Sequence, residues 1–429
     1  LVPAGHVVPS FERRNRGAMS QNKAPFSHPG SRGITIAWAL SAVVLLPLLG
    51  PWLAGRSLQP YLEFPPLSTG KATHAPFSWP LFISLSVVIV GLLSPCIVRV
   101  LRTNLRHLAA NTPVRTAPAT THQRPVVRRR FPWWGWLATG WTLCVWVLAW
   151  TRFDWMEAWQ PHTFTPVWLG YIVVMNALTY RSAGHCMVIN RPRYLLSLFP
   201  LSACFWWLFE YLNRFVQNWY YVDAGALTAW EYVVRATLPF ATVLPAVLST
   251  AEWLTAYPRL SAGLDRFVTI DVTCHRGWGW VMLGGAGAGL LGLGLWPDYL
   301  FPLVWVAPLV LITALQLMRG ESTIFSDAVC GDWRTLWVVA LAALLCGWFW
   351  EMWNMYSLAH WEYAVPYVQG LALFHMPLLG YAGYLPFGLE CLAVADMCLA
   401  RKFSGGVAYY RKLEPGTDLA QRKPTVAER

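Results

Sequence analysis

The chain has 429 residues, is 56% hydrophobic and only 13% charged, and carries a formal net charge of +12. Apolar content on that scale excludes an ordinary water-soluble enzyme and indicates an all-α, polytopic membrane protein. The basic residues flank apolar runs and are not interleaved with stacking aromatics, so nucleic acid is not an expected partner.

A polar segment, residues 1–33, comes first; Met19 is a candidate start, and no cleavable signal peptide is expected because the first long apolar run reads as an anchor. Ten spans are expected at about residues 34–54, 79–101, 132–150, 164–180, 194–215, 232–256, 278–297, 300–318, 333–354 and 371–398. Most are close to the ~20 residues that cross a hydrocarbon core, and backbone in lipid must satisfy its own hydrogen bonds, so each should be a helix. Segment 34–101 reads as an accessory hairpin, 102–131 as a basic linker, 257–277 as a second linker and 399–429 as a basic tail.

Lys and Arg set the orientation. The linker carries Arg102, Arg106, Arg115, Arg124, Arg128, Arg129 and Arg130 without an acid, so it belongs on the cytoplasmic side. Every second loop from there is also basic, with Arg181, Arg191 and Arg193, then Arg259, Arg266 and Arg276, then Arg319 and Arg334. Both termini are therefore expected inside, in a membrane of the bacterial inner-membrane type with its lipids as partners.

The chain repeats itself. Trp207-Leu208-Phe209-Glu210-Tyr211-Leu212-Asn213 recurs as Trp348-Phe349-Trp350-Glu351-Met352-Trp353-Asn354. Pro239 and Glu252 recur as Pro377 and Glu390, and Arg181 recurs as Arg319. Two parallel four-span repeats, 132–256 and 278–398, follow, with a shared site near a pseudo-two-fold axis along the membrane normal.

A carboxylate inside a span is costly, so one kept in both copies is a structural lock or part of a functional site. Glu210 and Asn213 share a helix face, as do Glu351 and Asn354. Aromatic clusters follow: Trp219, Tyr220 and Tyr221 in one copy, Trp361 and Tyr363 in the other. The last span is punctuated by Pro377, Gly380, Gly383, Pro386 and Gly388, with His375 at its mouth. The candidate catalytic set is therefore Glu210, Glu351, Asn213, Asn354 and His375. The candidate substrate-binding set is Trp207, Trp219, Tyr220, Trp348, Trp350, Trp361 and Tyr363. A protonated acid among aromatic faces can protonate a polyene and stabilise the resulting cation. Toward the cytoplasmic ends, Arg181 with Glu252 and Arg319 with Glu390 are read as structural ion pairs.

Other signals carry less. Gly287, Gly289 and Gly292 match G-x-G-x-x-G formally, but without a preceding strand they read as a small-residue packing face that includes Gly285 and Gly289. The nine cysteines form no C-x-x-C pair, and His185, Cys186, Cys274, His275 and Cys330 read as ordinary loop residues, so no metal is expected. No cofactor is indicated.

Trp350-Glu351, Trp361-x-Tyr363, Tyr367-x-x-Gly370 and Pro377 resemble the membrane-type lycopene cyclase domain of carotenoid biosynthesis, which also comes as two homologous halves. In the first copy only Phe209-Glu210 and Trp219-Tyr220 match. The family's two adjacent acids after the proline are absent, since the chain reads Pro377-Leu378-Leu379-Gly380 and Pro239-Phe240-Ala241-Thr242. The resemblance implies an isoprenoid-modifying membrane enzyme whose acid chemistry would fall to Glu210 and Glu351. A proton-coupled transporter and a non-catalytic membrane scaffold are the alternatives.

Overall fold

The computed structural model describes residues 29–66, 71–110, 129–223, 227–270 and 275–403. Met19, the linker stretch 111–128, Cys274 and the tail beyond residue 403 lie outside the described residues. Eleven helices build the body. They are α1 (Pro29–Leu53), α2 (Trp79–Ala109), α3 (Trp133–Trp150), α4 (Phe164–Ala183), α5 (Pro192–Val216), α6 (Ala229–Phe240), α7 (Val243–Thr255), α8 (His275–Leu293), α9 (Ala307–Met318), α10 (Arg334–Met355) and α11 (Tyr384–Phe403). Among the described residues, six helical stretches are long and apolar enough to cross a membrane, or seven if the bent pair around Val306 is one span. The protein is a helical membrane protein.

Local chemistry sets the ends. Pro192 stands in the first turn of α5, where its missing N–H costs nothing. Gly184 closes α4 in a left-handed conformation, φ 78°, that glycine adopts without penalty. At the start of α6, Thr228 and Glu231 form a reciprocal capping box.

Three expected spans are broken where proline or glycine interrupts them. The sixth begins at Ala229 and breaks between α6 and α7 at Ala241 and Thr242, just after Pro239. The eighth bends by 57° between Pro297–Trp305 and Ala307–Met318, at a site flanked by Pro302 and Pro308. The tenth is helical only from Leu378, as a 3₁₀ stretch that leads into α11 at Tyr384; residues 372–377 form a small hairpin instead.

Within the segment read as an accessory hairpin, α1 packs on α8, α9 and α5, whereas α2 touches the 258–266 loop and the 378–383 turn. The close packing of α1 is direct. A Cβ on Gly50 would lie 2.4 Å from the Leu291 carbonyl oxygen, and one on Gly294 would lie 2.3 Å from that of Pro47. Gly285 meets nothing within 4 Å, so the tight face of α8 runs instead through Gly289 and Gly292, which receive Leu303 and Leu300.

Helix pairing has a pattern. α3 packs on α4 and α8 on α9; α4 packs on α7 and α9 on α11; α5 packs on α7 and α10 on α11. The two sets mesh through α7 on α10 and α5 on α11. At one end of the bundle, two four-residue strands, β1 (Trp219–Val222) and β2 (His360–Tyr363), pair antiparallel. Trp219 faces Tyr363, Tyr220 faces Glu362 and Tyr221 faces Trp361. Exchanging each residue for its counterpart 142 positions away returns the same pairs, with Tyr220 and Glu362 exchanging places.

Candidate functional site

Side chains alternate across a strand, so the ladder has two faces. One face sends Trp219 and Tyr221 to Glu210, and Tyr363 to Glu351. The Glu210 Oε1 atom accepts three bonds: Tyr221 OH at 2.6 Å, Trp219 Nε1 at 3.1 Å and Trp206 Nε1 at 3.1 Å. The Glu351 Oε1 atom accepts Tyr384 OH at 2.6 Å and Tyr363 OH at 2.7 Å, while Trp361 Nε1 donates to the Tyr363 oxygen at 2.8 Å. Glu351 is wholly buried, and its Oε2 has no hydrogen-bond partner among the described residues. Each acid thus sits in a cage of aromatic donors.

The two asparagines hold these cages together. Asn213 donates to the Trp219 carbonyl at 2.8 Å and accepts from Asn218 N at 2.8 Å. Asn354 donates to the Trp361 carbonyl at 2.6 Å and accepts from Trp361 N at 2.9 Å. Both amides are therefore spent on the backbone that enters each strand. They position the cage aromatics, and Asn213 also borders the cavity described below.

The cages also differ in a compensated pair. In the second, Tyr384 of α11 fills the space beside Gly347 of α10, where a Cβ would lie 2.3 Å from the Tyr384 ring. At the corresponding positions of the first copy stand Trp206 and Ala246. The bulky donor comes from the acid's own helix in one copy and from the facing helix in the other.

That difference decides which acid meets open space. A cavity of about 1710 Å³ is lined by Glu210, Trp206, Trp219, Tyr221, Trp305 and Trp350, among others. Tyr363 and Tyr384 also line it, but Glu351 does not: it sits behind them. The Pro60–Pro66 segment closes one side, with Tyr61 stacked on Phe215 at 4.5 Å and Arg214 donating to the Tyr61 and Glu63 carbonyls.

The opposite face of the ladder carries a second polar group. Tyr220 OH donates to Glu362 Oε2, and His360 Nε2 lies 3.6 Å from Glu362 Oε1. The Tyr220 hydroxyl, followed by the charges of His375 and His360, holds the Glu362 carboxyl below the usual carboxylate range. His375 stacks on His360 at 5.4 Å and its Nε2 lies 3.3 Å from the Met355 carbonyl. His375 therefore belongs to this group and not to either glutamate cage.

The remaining expected residues divide. Trp207 lines the cavity and donates to Thr237 at 3.0 Å; Trp350 lines it from the other side. Trp348 is 42% exposed on the outside of α10, against Phe374. The expected Arg–Glu pairs do not form. Arg181 is exposed, and Glu252 lies 3.4 Å from His185 Nδ1. Arg319 lies 3.4 Å from Glu321, one turn past the end of α9, and neither oxygen of the buried Glu390 has a hydrogen-bond partner among the described residues. A short local loop reaches Glu321 more easily than the arginine reaches across to α11.

Trp206, Tyr221 and Tyr384 were not among the expected site residues. Tyr221 had a signal, because its counterpart is Tyr363 in the W-x-Y stretch. Trp206 and Tyr384 had none, because each is matched by a small residue in the other copy. Among the described residues no group of His, Cys, Asp and Glu could hold a metal ion. No protein family, curated protein or solved structure matches the chain.

Proposed function

We propose that this protein is a duplicated, ten-span membrane enzyme that takes a long apolar substrate, isoprenoid-like in character, into the aromatic chamber and acts on it by acid chemistry at Glu210. The observation that carries this reading is the position of Glu210 on the chamber wall beneath Tyr221, Trp219 and Trp206. The chamber, about 1710 Å³, exceeds the roughly 300–1,000 Å³ of drug-sized sites and fits an extended chain.

The chemistry needs no oxidant. A proton passes from the Glu210 carboxyl to one carbon of a double bond, leaving a cation on its neighbour. The faces of Trp219, Trp305 and Trp350 stabilise that cation. Return of a proton from elsewhere on the substrate to the Glu210 carboxylate restores neutrality and the acid, and the net change is isomerisation or ring closure. Glu351, walled off by Tyr363 and Tyr384, acts as a positioning residue for the ladder and does not touch substrate.

The duplication and ten-span topology are supported by the pairing of α3–α7 against α8–α11 and by the self-consistent ladder register. Bonds between loops join segments of like parity. Arg129 N donates to the Arg181 carbonyl and Asn104 to that of Arg259 at one end, while Arg152 donates to the Tyr356 carbonyl at the other. With the basic loops cytoplasmic, the ladder lies on the far side of a bacterial-type inner membrane. Expression of Glu210→Gln beside wild type, with lipid extracts compared, tests the enzyme reading: product is expected only with wild type.

A second reading, proton-coupled transport, draws on one observation. Below the cages, Tyr171 OH bonds Thr250 at 2.9 Å and Thr250 lies 3.4 Å from Cys346 Sγ, in a bundle that also buries Glu390. Proton flux into liposomes that Glu390→Gln removes would favour it.

A further inference from the structure

The ladder end of the bundle carries few cations, and most are occupied. Arg56 donates to the Gly294 and Leu295 carbonyls, Arg152 to those of Ala149 and Tyr356, and Arg214 to those of Tyr61 and Glu63. Arg235 is different. It is exposed, lines the chamber, and makes no hydrogen bond or ion pair among the described residues. His162, from the loop before α4, lines the chamber as well and is equally unengaged.

These two groups are neighbours across different elements. Partial burial, followed by the charge of Arg235, holds the His162 imidazole below its ordinary range. One acid is close: the Glu231 carboxylate feels the charge of Arg235 but forms no ion pair with it. The Glu231 carboxylate, one turn before Arg235, is committed to the Thr228 backbone and hydroxyl at 2.9 Å each. Glu210 is held in its cage, and Glu63 and Asp223, also on the lining, form no ion pair with Arg235. An unpaired guanidinium beside an imidazole, at the edge of an apolar chamber, matches an anion carried on an apolar tail.

We propose that Arg235 and His162 form a binding site for the anionic head, phosphate-like in chemistry, of an amphiphile whose tail fills the chamber. This rests on the chamber reading above. It narrows the substrate from any apolar molecule to one with a charged end, and it fixes the direction of entry: tail toward Glu210, head at the rim formed by α6 and the loop before α4.

The test is equilibrium binding to the purified full-length protein in neutral detergent, with hexadecyl phosphate and hexadecanol as probes. Wild type should bind the phosphate at least about tenfold tighter than the alcohol, a gap of about 1.4 kcal/mol. Arg235→Gln with His162→Gln should bring the phosphate down to the alcohol's level and leave alcohol binding unchanged, with an unaltered melting temperature as the folding control. Equal binding of the two probes to wild type would overturn the head site while leaving the chamber intact. Inorganic phosphate that displaces hexadecyl phosphate as well as the amphiphile displaces itself would show a free-anion site and overturn the proposal. Failure of both probes to bind would overturn the chamber reading and the head site together.

Discussion

Gly347 and Tyr384 share one space: the tyrosine ring occupies the position that any side chain on residue 347 would need, at 2.3 Å from an ideal Cβ. In the first copy the pair reads Trp206 and Ala246, large and small exchanged. An additional aromatic donor thus reaches each caged acid by a different route, Trp206 in one copy and Tyr384 in the other, and one acid lies on the chamber wall and the other behind it.

That packing makes Gly347→Ala destabilising. The ring is rigid and held through its hydroxyl to Glu351, so overpacking should cost about 1–3 kcal/mol. Thermal unfolding in detergent checks it. An unchanged melting temperature for Gly347→Ala would contradict the fit described.

Asn354→Ala should lower stability without acting on chemistry directly. It removes two bonds to the Trp361 backbone at 2.6 and 2.9 Å, and the orphaned groups should cost about 1–3 kcal/mol. Asn213→Ala should behave alike. Limited proteolysis of the strands, with unfolding measured in parallel, reads the effect; strands as protected as in wild type would argue against the clamp.

Close contact between α1 and the end of α8 depends on Gly50 and Gly294, where an ideal Cβ would lie 2.4 and 2.3 Å from a backbone oxygen of the facing segment. Gly50→Leu should push α1 off the bundle. Cross-linking between cysteines placed at the two helix ends should fall, whereas retained cross-linking would mean the helices tolerate a wider spacing.

The ladder should respond to acid. Tyr220, with His375 and His360, lowers the Glu362 carboxyl below its ordinary value, so its stabilisation is complete above about pH 4.3 and is lost as pH falls through the folded value. With 37% of the side chain exposed the effect is small in energy. The gap in melting temperature between wild type and Glu362→Gln should be constant near neutrality and close below about pH 4. A gap that widens on acidification would reverse the sign.

Much of this architecture is written in the chain. Apolar length specifies the helices, and the recurrence of Glu210 and Asn213 as Glu351 and Asn354 marks both cages. Contacts that depend on tertiary reach were not legible. Tyr384 lies 33 residues from Glu351 and joins it only because α11 folds back on α10. Strands of four residues between aromatic helices leave no clear period, so the alternation that sends Tyr221 inward and Tyr220 outward was hidden. In the other half Arg319 meets Glu321 and Glu252 meets His185, because a loop residue such as Glu321 needs no helix to come into register.

The most direct measurement is a comparison of membrane lipid and isoprenoid extracts, by untargeted mass spectrometry, from cells expressing wild type, Glu210→Gln or Glu351→Gln at matched levels of folded protein. The account predicts a species made by wild type, lost in Glu210→Gln, and retained at reduced yield in Glu351→Gln. Extracts that are identical across all three, from equally folded proteins, would contradict it.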